Sequence, residues 1–132
     1  MAASSALGST RLRPGRATRR STIDALTLAA KARDVLRGKK GEDIALLDVR
    51  GMSGVTDYYL IVSGGSPPHL KALFREVMHE LKQAGVPCYR KSGNPETGWM
   101  VLDYVDVIIH IFSPQARSYY AVEELWAGAP RQ

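Results

Sequence analysis

The chain has 132 residues, which is enough for one compact domain. With 45% hydrophobic residues it can bury a core, and no run approaches the roughly 18 apolar residues of a membrane span. Its single cysteine, Cys88, excludes an internal disulfide and a four-cysteine zinc site, and fits a reducing cytoplasm.

The net charge of +5 belongs to one end of the chain. Residues 1–22 hold Arg11, Arg13, Arg16, Arg19 and Arg20 with no acid, which leaves 13 Lys and Arg against 13 Asp and Glu in residues 23–132. The domain is neutral in sum, so no uniformly basic nucleic-acid-binding face is expected of it. Residues 1–20 carry too little apolar surface to offset their ordering entropy, and read as a disordered basic tail dispensable for folding. They lack the apolar stretch of a secretory signal. Their Arg- and Ser-rich composition fits a plain extension or an organelle transit peptide.

A first helix is expected from about Ile23 to Arg37, opened by Ser21-Thr22-Ile23-Asp24 and stopped at Gly38. Ile44–Val49 reads as a buried strand, Arg50–Thr56 as a loop, and Asp57–Val62 as a second strand. Leu70, Leu73, Phe74, Val77, Met78 and Leu81 keep helical spacing without a miss. Ser66 can cap that helix, Pro67 suits its first turn, and Gly85 can end it. Val86–Arg90 reads as a third strand and Ser92–Gly98 as a loop. Trp99–Leu102 and Asp106–Phe112 follow as strands around a short turn. Ser113-Pro114 opens a last helix to about Trp126. The order α-β-β-α-β-β-β-α predicts an α/β domain, a mixed sheet with helices packed on it, over residues 21–128, with 129–132 as a flexible end.

Gly64-Gly65-Ser66, between a strand and a helix start, is where a phosphate would sit and where a nucleotidyltransferase places its Gly-Ser. Such an enzyme also needs paired carboxylates on one strand face for magnesium. Asp103 and Asp106 are spaced by three across a turn, where a shared strand face needs two. Pro67 and Pro68 remove donors from the cradle. A turn with a helix cap is the plainer reading. His69, His79 and His110 are too scattered for a metal motif. His69 is expected to serve a local cap, His79 to face solvent, and His110 to be a hydrogen-bonded strand residue. No catalytic residue, metal or cofactor is assigned.

Residues 47–64, Leu-Asp-Val-Arg-Gly-Met-Ser-Gly-Val-Thr-Asp-Tyr-Tyr-Leu-Ile-Val-Ser-Gly, resemble the opening motif of the Iojap family, the ribosomal silencing factors. So do residues 98–104 (Gly-Trp-Met-Val-Leu-Asp-Tyr) and 106–112 (Asp-Val-Ile-Ile-His-Ile-Phe), and the ending Arg117-Ser118-Tyr119-Tyr120 with Glu124-Leu125-Trp126. The resemblance covers roughly residues 23–126. It implies a nucleotidyltransferase-like fold without the transferase chemistry. It also implies docking on the large ribosomal subunit at ribosomal protein number fourteen, which blocks small-subunit joining and represses translation in the cytoplasm. Homodimers, and large-subunit assembly in organelles, belong to the same family picture. The tail could touch ribosomal RNA, and two rival readings are an RNA-binding assembly factor and an active nucleotidyltransferase. Against a basic ribosomal protein, an acidic and aromatic patch is expected: Trp99, Asp103, Tyr104 and Asp106, presented together by the turn, then Arg117, Tyr120 and Glu124.

Two departures from the family stand out. The family's Thr-Ser-Ser-Arg-His is replaced here by Gly65-Ser66-Pro67-Pro68-His69, and the turn where the family favours Gly carries Val105. That turn is expected to keep a positive φ at Val105 and to carry strain, so that Val105→Gly stabilises by about 1 kcal/mol. A changed turn type would reverse the sign.

Overall fold

The computed structural model describes residues 24–132. Its elements are α1 (Ala25–Gly38), β1 (Glu42–Asp48), β2 (Tyr58–Ser63), α2 (Pro67–Gln83), β3 (Arg90–Asn94), β4 (Trp99–Asp103), β5 (Val107–Phe112) and α3 (Pro114–Tyr120). A 3-10 helix over Val122–Trp126 follows. The strands form one mixed sheet in the order β1-β2-β5-β4-β3, with β2 and β5 parallel and the other pairs antiparallel. The two parallel strands are central and buried along their whole length, which explains their unbroken apolar runs. The expected order and class therefore hold. The expected tail lies outside the described residues, as do Ser21 and Thr22. The helix cap within them is Asp24, whose carboxylate accepts from the Thr27 amide at 2.8 Å.

α1 and α2 cover one face of the sheet. Leu28, Leu36, Leu73, Val77 and Leu81 of the helices meet Leu46, Leu60, Val62, Met100, Leu102, Ile109 and Ile111 of the strands, all buried. The other face, with Ala45, Leu47, Tyr59, Ile61, Ile108 and Phe112, is covered more thinly by Ala116, Val122, Trp126 and Ala129 from the last fifth of the chain.

Three expectations are corrected. The third strand is not Val86–Arg90 but Arg90–Asn94, which is exposed throughout and held by its ladder to β4. Ser92-Gly93 looks like a loop in sequence, yet Gly93 (φ +88°) passes so close to the Trp99 carbonyl that a Cβ there would collide with it. The last helix does not run to Trp126. It ends at Tyr120 because Ala121 turns left-handed (φ 48°). That break lets Arg117 reach Glu123 with two bonds of 2.9 Å, a pair that six residues of unbroken helix would hold on different faces. Residues 129–132, expected to be a flexible end, run along the outer edge of β1. There Asp48 N–H donates to Pro130 O and Gln132 N–H to Leu46 O, both at 2.9 Å.

The turn between β4 and β5 has the strain expected of it. Val105 has φ 72°, and the Asp106 amide donates back to the Tyr104 carbonyl at 2.9 Å, which is the rare positive-φ form of the γ-turn. Asp103 Oδ1 accepts from the Val105 amide at 2.8 Å and helps to hold it. The Val105 side chain is also buried. Glycine would relieve strain of about 1–3 kcal/mol but lose about 1.5 kcal/mol of burial and some chain entropy, so the gain expected from sequence shrinks to near zero. Val105→Ala loses the burial and keeps the strain. Urea denaturation should therefore rank Val105→Gly above Val105→Ala by about 1 kcal/mol, the reverse of the usual order. The usual order would show that the turn is relaxed.

Candidate docking surface

The Gly64-Gly65-Ser66 turn satisfies itself. Gly64 N–H donates to Phe112 O at 2.9 Å, Gly65 N–H to His69 Nδ1 at 3.1 Å, and His69 N–H to Ser66 Oγ at 3.2 Å. With Nδ1 accepting, His69 Nε2 carries the proton and donates to Lys39 O at 2.9 Å, which ties the loop to the end of α1. The Gly64, Gly65 and His69 amides, which a phosphate cradle would use, are thus taken by the chain's own groups. Among the described residues, no group of three or more His, Cys, Asp and Glu side chains is placed to hold a metal ion. No helix among them is long and apolar enough to cross a membrane.

The seven residues singled out in sequence do not share one surface. Asp103, Tyr104 and Asp106 are buried at the β4–β5 turn. Tyr104 packs into the core beneath the helices. Burial pushes its hydroxyl pKa well up, and the Cys88 thiol next to it, also raised by burial, adds to the effect. Trp99 stands at the far end of β4, about 13 Å along the strand from Asp103, and packs with the cluster on the opposite side of the sheet from that of Tyr104. The turn therefore does not present Trp99 with the two acids. The chain entering β2 and β3 closes over the turn: the Asp57 and Tyr58 amides donate to Asp106 O, both at 3.1 Å, and the Tyr89 amide donates to Asp103 O at 2.9 Å.

Trp99 meets a different partner. Its ring lies 4.4 Å from that of Tyr120 on α3, 5.2 Å from Phe112 and 5.9 Å from His110. Its indole Nε1–H donates to His110 Nδ1 at 3.0 Å. Burial holds the His110 pKa down to about 4, so the imidazole stays neutral and its Nδ1 remains an acceptor. Tyr59 extends the cluster, 5.5 Å from His110 and 5.3 Å from Trp126. The cluster is a core from inside and a surface from outside. Trp99 and Trp126 are half-buried, Tyr120 is 46% exposed, and Tyr119 and Leu125 are largely exposed beside them.

Arg117 plays an internal part. It donates to Ser63 Oγ at 2.9 Å on β2 and pairs with Glu123, whose carboxyl it holds below the usual range. Glu123, which sequence did not single out, thereby fixes the segment after α3, while Glu124 is exposed. Tyr119 and Leu125 were quoted in the motif but not as contacts. Their exposure follows from the break at Ala121, which periodicity does not encode.

A sequence profile described as "Ribosomal silencing factor during starvation" matches residues 22–132. The ribosomal silencing factor RsfS of Bacillus subtilis is 39% identical over 105 residues, covering 80% of this chain and 86% of that one. The mouse protein named "Mitochondrial assembly of ribosomal large subunit protein 1" is 30% identical over 125 residues, 90% of this chain and 52% of that one. A crystal structure of a Chromobacterium violaceum protein superposes with a TM-score of 0.77 at 30% identity, covering 80% of this chain and 88% of that one.

Proposed function

Since the chain belongs to the ribosomal silencing factor family, we propose that it docks on the large ribosomal subunit at ribosomal protein number fourteen and bars the small subunit from joining. Repression is steric and uses no catalytic residue or cofactor. The observation that carries the reading is the half-open aromatic face. Tyr120 on Trp99, with Tyr119 and Leu125 beside them and Glu124 exposed nearby, forms an apolar centre with an acidic neighbour. A basic ribosomal protein suits such a surface. The buried Asp103, Tyr104 and Asp106 then shape the end of β4 rather than bear the contact themselves, and Arg117 fixes α3 so that Tyr120 is presented. Docking takes place in the cytoplasm. A homodimer formed through the same apolar face would compete with it.

The self-satisfied turn at Gly64 supports the same reading over nucleotidyl transfer. The test is binding to purified large subunits, with and without nucleoside triphosphate and magnesium, followed by addition of small subunits. Saturable binding to the large subunit, indifferent to triphosphate, with fewer joined particles, is expected. Binding that requires triphosphate, or joining that is unaffected at saturation, would overturn it. The mouse relative's printed name favours one second reading, a part in large-subunit assembly, which would appear as immature large subunits in cells lacking the protein.

A further inference from the structure

The neutral sum of the domain hides a segregation of charge. On α2, Lys71, Arg75 and Lys82 all lie within about 40° of one another around the helix axis, at 100° per residue, opposite the buried Leu73 and Val77. All three are exposed, and among the described residues none of them is in an ion pair. The acids of this helix, Glu76 and Glu80, are turned to its other flank and partly buried, and Glu76 faces Lys39 of the α1 end at 3.9 Å. The basic flank therefore looks away from α1. Beyond it lies the sheet edge, where Lys91 pairs with Leu102, a residue whose side chain enters the core under α2. Paired residues point the same way, so Lys91 projects on the same side as α2.

We propose that this flank, Lys71, Arg75 and Lys82 of α2 with Lys91 of β3, is an RNA-binding surface that follows a phosphate backbone. The rise is about 6 Å from Lys71 to Arg75 and about 10 Å from Arg75 to Lys82, so the cations form a row of about 16 Å along one side of the helix, long enough to contact more than one phosphate of a strand. The apolar stripe of α2 is spent on the core, and Met78, which borders the flank, is partly buried against that core, so no exposed large apolar side chain is offered to a lipid surface or a folded protein. It lies across the sheet from the aromatic docking face. The inference goes beyond that docking: a factor held to a ribosomal protein by one face would reach RNA with the other.

The test is binding of the full chain to a fluorescein-labelled RNA duplex of about 20 base pairs over a range of salt concentrations. Arg75→Glu with Lys82→Glu is compared with Lys31→Glu and Arg37→Glu, which changes the net charge equally on α1. Melting curves check that both remain folded. The α2 variant is expected to lose at least about tenfold in affinity at low salt and to flatten the slope of log Kd against log salt by about two, while the α1 variant changes by less than about threefold. Equal losses would show attraction by net charge alone, and an unchanged α2 variant would leave RNA to the basic tail. Either result overturns the proposal. Poly-glutamate bound as tightly as the duplex, and lost in the same variant, would make this a site for acidic proteins and also overturn it. Because the duplex contains no ribosomal protein, this result stands or falls apart from docking at protein fourteen.

Discussion

Tyr120→Ala is expected to weaken binding to the large subunit about thirtyfold while leaving the fold in place. Tyr120 is 46% exposed and rests on Trp99 with ring centres 4.4 Å apart, so a partner closing over it would bury a large ring on a rigid support. A central aromatic of that kind is worth about 2 kcal/mol or more, which is the thirtyfold figure. The cost to folding is one half-exposed ring contact, about 1 kcal/mol. Trp99→Ala is the blunter experiment. It also removes the stack on Phe112 and the bond to His110, and should lower stability by about 3 kcal/mol. The deciding measurement is titration of purified large subunits with wild type and Tyr120→Ala, beside a melting curve for each. A folded Tyr120→Ala protein with wild-type affinity would move the docking site off this face.

The elements legible in sequence were those whose burial is one-sided and regular. α2 shows its core stripe without a miss because a single face meets the sheet. β2 and β5 read as unbroken apolar runs because both of their faces are covered. The third strand was illegible because nothing in Arg90–Asn94 is buried. The β4 ladder makes it a strand, and propensity cannot see a ladder. The end of α3 was illegible for a related reason. Ser113-Pro114 announces its start, but its stop is a left-handed alanine, Ala121, which carries no sequence signal, and the break brings Arg117 to Glu123 and to Ser63, the latter 54 residues away in sequence.

The candidate surface was legible in kind and not in arrangement. Trp99 and Tyr120 could be named as large aromatics, but not as partners, since β4 and α3 meet only after β5 lies between them in the chain. Asp103 and Asp106 looked available because a turn between strands is usually exposed. Here the segments entering β2 and β3 bond to the Asp106 and Asp103 carbonyls and close over that turn, and both acids are buried. Charge behaved in the same way. A sum over residues 23–132 cancels to zero, whereas helical spacing and one ion pair at Lys39 sort the charges of α2 onto opposite flanks.

The fold is expected to lose about 3 kcal/mol of stability between pH 7 and pH 4 through His110 alone. In the folded chain the imidazole takes a proton only near pH 4, because burial disfavours its charged form, whereas an ordinary histidine in the unfolded chain takes it near 6.5. A lowered histidine pKa contributes stability that is complete above the unfolded value. As pH falls below 6.5, the unfolded chain gains a proton the folded chain refuses, and the balance moves by about 1.4 kcal/mol per unit until about pH 4. The carboxylates of Asp48 and Glu123, held low by Arg50 and Arg117, act in the same direction, but only as pH falls through and below the ordinary carboxylate range. The interval from pH 7 to pH 5 therefore belongs to His110, and a loss of about 2 kcal/mol is expected across it in urea denaturation. His110→Asn separates this from any general acid effect. Its Oδ1 stands near the former Nδ1 and can accept from the Trp99 indole, but it does not titrate. The variant should change by less than about 0.5 kcal/mol over the same interval. An equal loss in His110→Asn would place the titrating group elsewhere. A flat wild-type profile would mean that His110 takes its proton in the folded chain as readily as in the unfolded one, in which case Nδ1 would cease to accept from Trp99 on protonation and the two rings would have to part.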